Sequence, residues 1–479
     1  MPRTIARADG DRWLDDRAVE RLERQLREAL RRARATGTPT LVSVTAGLSG
    51  SHDPAALVAG ARHADDHWFC LEQPDRNGSA LAAIGRVRSI EERGRERFAK
   101  VAARWRALVS AAVADDASGP SGSGLAAIGG FAFAPDGGTA PSWAGYAAAS
   151  LTVPELSLTR YGEQTWLTVN LDVAPDDTPE DALARVSRRL AELSVKPLPL
   201  IDPEPVGSYT VSSPMPPAHF EEAVARGVAR IRAGQLEKIV LAREVEVLAP
   251  VSHDPAAVFG LLREAFPSSF VYAVGRGPST FIGATPELLI RRQGQRATTV
   301  ALAGSARRSA DPAVDDHLGE QLLQSEKERE ENAIVGRRIA RALRPHAVWV
   351  SAAPEPVVVR VANIQHLATP IRAQLASPLG AIELAGLLHP TPAVGAEPAS
   401  ALDAIPALEG FDRGWYAGPV GWTDASGDGE FCVALRCALL RDKVARCYAG
   451  CGIVRDSEPA AELAETEIKL GVMLPALAG

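Results

Sequence analysis

Apolar residues recur at three- and four-residue intervals over residues 17 to 36, which predicts a helix with one buried face. From 40 to 46 they gather into a short strand. Residues 87 to 116 read as a second, arginine-rich helical stretch that ends in the glycine- and serine-rich loop Ser118–Gly124. Strand-like runs follow at 127–133, 150–158 and 165–171, and residues 179–193 are helical again. The stretch Lys196 to Pro217 holds seven prolines, so it continues neither a helix nor a central strand. It divides a less distinct N-terminal part, residues 1–200, from a C-terminal region, residues 218–474, and predicts a linker or long crossover over 196–217.

Beyond it, a helix is predicted over 218–233, stopped by Gly234, and a strand over 238–247. Further strands are expected at 269–275, 280–283, 287–292, 298–303, 347–352 and 356–361. Helices are expected near 314–343, 379–388, 398–408 and 458–474. Runs at 414–422, 429–440 and 444–453 read as an antiparallel meander. Strands in runs and helices in runs predict an α+β fold rather than a doubly wound one. No fixed-period repeat is visible.

Composition narrows the function. With 479 residues, 46% of them hydrophobic and 23% charged, the chain has the profile of a soluble globular protein. A net charge of −7 is too mild to imply a nucleic-acid partner, though a few Arg and Lys can still bind an anion locally. The first twelve residues lack the apolar core of a secretory leader, and no run is long enough to span a membrane. The five cysteines, Cys70, Cys432, Cys437, Cys447 and Cys451, make no CxxC or zinc pattern, and reduced thiols in a cytoplasm are expected. No phosphate-binding loop, dinucleotide fingerprint, nucleophile elbow or HExxH segment occurs. His63 and His67, beside Asp65 and Asp66, have the i, i+4 spacing of a helical metal pair or of an ordinary surface.

What remains is a scatter of polar groups in the C-terminal region. Glu328 and Glu331 are three residues apart, and so are Glu462 and Glu465, so on helices each pair shares a face. Four carboxylates from two helices could hold a hard cation such as Mg²⁺, or could simply be solvated. Lys238 leads the strand Lys-Ile-Val-Leu-Ala-Arg, either as an exposed strand end or as a buried general base. Glu287 follows a Thr-Pro turn and reads as a surface residue or as a half-buried acid with a raised pKa. Gly304 and Ser305 end a strand in a small-residue turn, which could offer backbone N–H groups to an anion or be a plain turn. His366 ends an apolar strand. Tyr416 and Arg436 fall on neighbouring strands of the meander, and an arginine in so apolar a run needs an anion, from substrate or from a glutamate. Gly450-Cys451-Gly452 breaks the last strand and would permit close approach of a ligand. Lys469 lies four residues after Glu465, as a surface pair or as a carboxylate contact.

The order of these segments resembles the chorismate-utilising enzyme family, and within it the isochorismate synthases. The matching stretches are KIVLAR at 238–243, GATPELL at 283–289, ALAGSARR at 301–308, SEKEREENAIV at 325–335, IQHLATPI at 364–371, LHPTPAVG at 388–395, FDRGWYAGPVGW at 411–422, GDGEFCVALRCA at 427–438, AGCGIV at 449–454 and ETEIK at 465–469. In the N-terminal part only GGFAF at 129–133 is similarly distinct. The resemblance implies two large antiparallel sheets packed face to face and flanked by helices, with chorismate as substrate, Mg²⁺ as cofactor and a monomeric state. It implies that Glu331 and Glu465 are metal ligands, with Glu328 and Glu462 acting through water. It gives Lys238 the role of base and Glu287 that of acid. Tyr416, Arg436, the Gly452 backbone and Lys469 match substrate-carboxylate contacts, and Gly304, Ser305 and His366 match pocket-lining residues.

Within the family, a lysine at 238 favours water over ammonia as nucleophile, against anthranilate and aminodeoxychorismate synthases. Ala393 stands where salicylate synthases carry threonine, which favours release of isochorismate over pyruvate elimination. Whether the product serves menaquinone, a siderophore or another end is not written in the chain. Asn332 departs from the histidine common after the metal glutamate, and as a hydrogen-bond partner of a carboxylate it predicts altered metal affinity. Glu397 adds a charge near an anion pocket. A silent homologue that binds without turnover is the reading of a different class.

Overall fold

Helix Asp16–Thr36 forms where the apolar spacing predicts it. Asp15 accepts the Ala18 N–H at its start, and left-handed Gly37 ends it. Its buried stripe, including Leu22, Leu26 and Leu30, belongs to an apolar layer on one face of a large sheet. The computed structural model describes residues 13–116, 119–202, 206–361 and 364–478. The segment read as lacking a leader, Ser118 and Asn363 lie outside the described residues.

Two large sheets dominate. A thirteen-stranded sheet begins at Thr210–Ser212 and passes through Lys238–Leu248, Val444–Ile453, Cys437–Arg441, Ser279–Thr285 and Phe270–Arg276. It continues directly into N-terminal strands, His67–Gln73, Ser79–Ile84, Leu156–Tyr161, Gln164–Val173, Thr40–Leu48 and Val113–Ala114. A ten-stranded sheet runs from Ala347–Ala352 through Ile364–Leu375, Arg296–Arg307, Leu288–Gln293, Gly429–Val433 and Pro419–Asp424 to Ala126–Phe131, Ala149–Val153 and Arg88–Glu92. Among the described residues pairing is antiparallel except between Thr40–Leu48 and Val113–Ala114. One core joins the sheets, with Phe69, Tyr272, Phe281 and Tyr448 from the larger and Phe131, Phe431 and Ile371 from the smaller. A second layer, under helices Asp16–Thr36, Pro54–Ala61, Pro179–Ala191 and Pro255–Ala265, covers the larger sheet's other face. The α+β class is the one the runs of strands and helices predict, and the two packed sheets are those the family resemblance implies.

Several boundaries move, each for a local reason. The helical reading of 87–116 fails at its start: Arg88–Glu92 is a strand against Ala149–Val153, left-handed Gly94 turns the chain, and the helix spans only Arg97–Ala111. The run 150–158 divides at Pro154, which has no N–H for a ladder; Ala149–Val153 lies in the smaller sheet and Leu156–Tyr161 in the larger. The long helix near 314–343 breaks at Ser325, whose hydroxyl caps a second helix, Glu326–Leu343. Gly450–Gly452 does not break the last strand, because Val444–Ile453 runs through it in register with Lys238–Leu248. His63 and His67 share no helix, since Pro54–Ala61 ends before them and His67 begins a strand. All five cysteines are buried and free. Among the described residues no helix is long and apolar enough to cross a membrane.

Candidate active site

Two neighbouring passages of the chain between the sheets carry candidate residues. Strand Ser279–Thr285 belongs to the larger sheet and Leu288–Gln293 to the smaller, with Pro286 and Glu287 as the crossing. The predicted strand 429–440 is likewise two strands, Gly429–Val433 in the smaller sheet and Cys437–Arg441 in the larger. Arg436 lies between them with φ 48°. The crossings are stitched together by Val433 N–H to Glu287 O at 3.0 Å and Ala284 N–H to Arg436 O at 3.1 Å. Tyr416 is also off the strands, in the turn before Pro419–Asp424, where Gly414 is left-handed and an added Cβ would strike the Trp143 ring. The expectation that Tyr416 and Arg436 sit on meander strands is therefore corrected: a turn carries the one and a crossing the other, and neither side chain follows sheet alternation.

One pocket gathers Glu287, Gly304, Ser305, Glu331, His366, Ala393, Tyr416, Arg436, Gly452, Glu465 and Lys469. Glu287 is buried, and burial pushes its carboxyl up to about 7 against the attraction of Arg436, Lys238 and Lys469. His366 Nε2 lies 3.0 Å from Arg436 Nη2, a group that only donates, so Nε2 accepts and the imidazole proton belongs on Nδ1. Nδ1 faces Ser305 Oγ at 3.0 Å and Gly304 O at 3.3 Å. Burial, then the charges of Arg436 and Lys469, hold His366 neutral, well below the usual imidazole range. Among the described residues no carboxylate comes within ion-pair distance of Arg436, so the glutamate-paired alternative is not realised.

Three candidates stand behind the pocket wall rather than on it: Lys238, Glu328 and Glu462. Lys238 is fully buried, and its Nζ pairs with Glu331 Oε1 at 2.7 Å. It is not an exposed strand end. Gly452 is needed here, because a Cβ would run into both Glu331 Oε1 and the Lys238 side chain. Glu328 Oε2 accepts the Ser305 N–H at 3.0 Å, so the turn's backbone donor serves a carboxylate of the chain instead of standing free for an anion.

The four carboxylates do converge. Burial and then the neighbouring Glu331 raise Glu328, while burial, with Glu465 adding to it, raises Glu462. Burial alone would raise Glu465 too, but the charge and hydrogen bond of Lys469, 2.6 Å away, hold it below the ordinary range. Among the described residues no group of three or more acidic, histidine or cysteine side chains forms a ready metal cage. Lysines are interleaved with the carboxylates, the 3.6 Å contact of Lys327 with Glu462 included. The oxygen-only donors on Glu326–Leu343 and Pro459–Leu470, already facing cationic ammonium groups, fit a hard divalent cation.

The two sequence departures resolve differently from expectation. Asn332 touches no carboxylate: its amide donates to Ala301 O, Ala303 O and Leu367 O, and its oxygen accepts from Thr369. It fastens the helix to two strands beside the bulge between Leu302 and Ser305, so the predicted route to altered metal affinity is absent. Glu397 turns from the pocket toward Arg338 and Arg341, at 3.7 and 3.8 Å. Arg413 was missed. It lines the pocket, pairs with buried Glu409 and donates to Val240 O and Val394 O. Its i, i+4 spacing from Glu409 was the available signal.

Comparison with known proteins gives the family and the fold. Residues 28–478 match the family described as chorismate binding enzyme. The salicylate biosynthesis isochorismate synthase of Pseudomonas aeruginosa is 36% identical over 94% of this chain and 92% of its own length. The isochorismate synthase MenF of Bacillus subtilis is 32% identical over 95% of this chain and 97% of its own. Among solved structures, the menaquinone-specific isochorismate synthase MenF from Escherichia coli aligns with a TM-score of 0.76 at 25% identity, covering 95% of this chain and all of that one.

Proposed function

We propose that this chain, which belongs to the chorismate binding enzyme family, converts chorismate to isochorismate. Water adds at ring C2, the diene shifts, and the C4 hydroxyl leaves, so substrate and product are isomers. The observation that carries this reading is Glu287: a buried carboxylic acid with its proton held to about pH 7, on the pocket wall with Arg436 and Lys469. Such an acid can protonate a departing hydroxyl near neutrality, which a solvent-exposed glutamate cannot.

The proton tasks divide between two residues. Lys238, directly behind Glu331 on the pocket wall, is the base we assign: in its neutral amine form it takes the proton of the attacking water, and Glu287 gives its own to the leaving oxygen. Arg436 and Lys469 bind the two substrate carboxylates, with Tyr416 and the Gly452 backbone completing the contacts. His366, accepting from Arg436, fixes the guanidinium plane, and Gly304 and Ser305 hold the imidazole in turn. Mg²⁺ is the cofactor we assign: Glu331 and Glu465 would hold it, with Glu328 and Glu462 behind, and it would supply charge neutralisation for a substrate carboxylate. Ala393 leaves the wall beside the pocket small and without a hydroxyl.

The names of both curated relatives support isochorismate formation. Incubation of purified protein with chorismate and Mg²⁺, followed by separation of the products, is the test. Isochorismate without pyruvate is expected. Stoichiometric pyruvate with salicylate would replace this reading by salicylate synthesis, and binding without any product would make the chain a silent homologue.

A further inference from the structure

Lys327 is not on the pocket wall and has no part in the proton transfers, yet it stands among all four carboxylates. It precedes Glu328 on the helix Glu326–Leu343, and its Nζ lies 3.9 Å from Glu328 Oε1 and 3.6 Å from Glu462 Oε1 on the other helix. The three lysines of the cluster are not equivalent. Lys238 and Lys469 make close ion pairs of 2.7 and 2.6 Å with side chains 0% and 10% exposed. Lys327 makes only the two longer contacts, and its side chain is 43% exposed. A long, flexible stem with its head half in water can swing out at little cost, whereas the other two ammonium groups are enclosed.

We propose that Lys327 is the chain's own counter-cation for the carboxylate cluster, holding Glu462 of one helix against Glu328 of the other until a divalent cation displaces it. The inference rests on the reading of these carboxylates as a Mg²⁺ site. Without any cation, four carboxylates on two facing helices repel one another, and Lys327 offsets that repulsion across the gap. A divalent ion offers more charge and accepts several oxygens at once, which one ammonium cannot match. Displacement therefore lowers the apparent affinity for the ion, because the binding-competent arrangement is only part of the population.

The test uses the full chain without chorismate. Mg²⁺ affinity is measured by calorimetry, and the melting temperature with and without Mg²⁺, for wild type, Lys327→Met and Arg337→Gln. Arg337 is on the same helix but pairs outward with Glu330, so it controls for loss of charge alone. In Lys327→Met we expect the Mg²⁺ dissociation constant to fall about tenfold, the size of a modest, partly screened charge competition. The metal-free melting temperature falls and the rise on adding Mg²⁺ grows, while Arg337→Gln matches wild type. If Lys327→Met does not fold, Lys327→Gln carries the same expectations. Equal or weaker Mg²⁺ binding in the folded variant overturns the proposal while leaving the cofactor assignment standing. A wild-type chain that binds no Mg²⁺ overturns both.

Discussion

Glu287 carries its proton where an ordinary glutamate has lost it, and two measurements follow from that. Its folded pKa, about 7, exceeds the unfolded value of 4.5. Below pH 4.5 both states are protonated and the stability is fully present; as pH rises toward 7 the unfolded chain releases a proton that the folded one retains, and stability is lost. Glu287→Gln removes this dependence. Denaturant melts at pH 5 and pH 8 should show the variant gaining on wild type by on the order of 3 kcal/mol at the higher pH. The acid role predicts a second sign: kcat/KM of wild type falls as pH rises above about 7, and the glutamine variant has no measurable turnover. Which side chains were candidates was legible in the sequence; their burial was not. Lys238 and Glu287 each have a surface reading of comparable weight, and only contacts remote in sequence decide it: Glu331 of a helix meets Lys238, and the crossing between the sheets encloses Glu287. Arg413 is marked in the sequence only by its i, i+4 spacing from Glu409, which reads equally as a surface pair; its other partners, the carbonyls of Val240 and Val394, are backbone atoms that no side-chain pattern reveals.

Elements explain why the sequence reads well as strands and poorly as boundaries. Residues 429–440 stay apolar across the point where the chain changes sheets, since both sheets bury Val433, Ala434 and Cys437 alike. No periodicity marks the crossing; the left-handed backbone of Arg436 does. The tripeptide Pro-Glu-Leu occurs at two crossings, 154–156 and 286–288, with opposite outcomes. Glu155 is partly exposed and pairs with Arg189 at 2.8 Å, while Glu287 is buried, so the motif fixes the path of the chain and its surroundings fix the chemistry. The joint between helix Ile405–Glu409 and strand Lys238–Leu248 makes its own prediction. Glu409 accepts the Ala242 N–H and pairs with Arg413, both side chains fully enclosed. Glu409→Ala leaves a buried guanidinium uncompensated and should cost about 3–5 kcal/mol in urea unfolding. A loss below about 1 kcal/mol would mean that the joint relaxes to let water in.

At the scale of the whole molecule, the proline-rich stretch separates two parts of the sequence but not two bodies. His67–Gln73 pairs with Phe270–Arg276 in one sheet, and Ala126–Phe131 with Pro419–Asp424 in the other. Proteolytic cleavage within residues 196–209 should therefore leave both fragments eluting together at the size of the intact chain until denaturant is added; separate elution in native buffer would contradict this shared architecture. The C-terminal motifs, though legible, could not reveal that N-terminal strands extend both of their sheets, because strand pairing across such distances leaves no local pattern. The crossings carry one more consequence. The acid and the arginine ride on adjacent segments that bridge the two sheets and hydrogen-bond to each other, so a change in the spacing of the sheets would move both together. The aromatic layer of Phe131, Trp143, Phe281 and Phe431 maintains that spacing. An interior substitution such as Phe281→Leu should therefore shift the acid and the arginine without touching a ligand, and a change in KM for chorismate with the fold retained would show it.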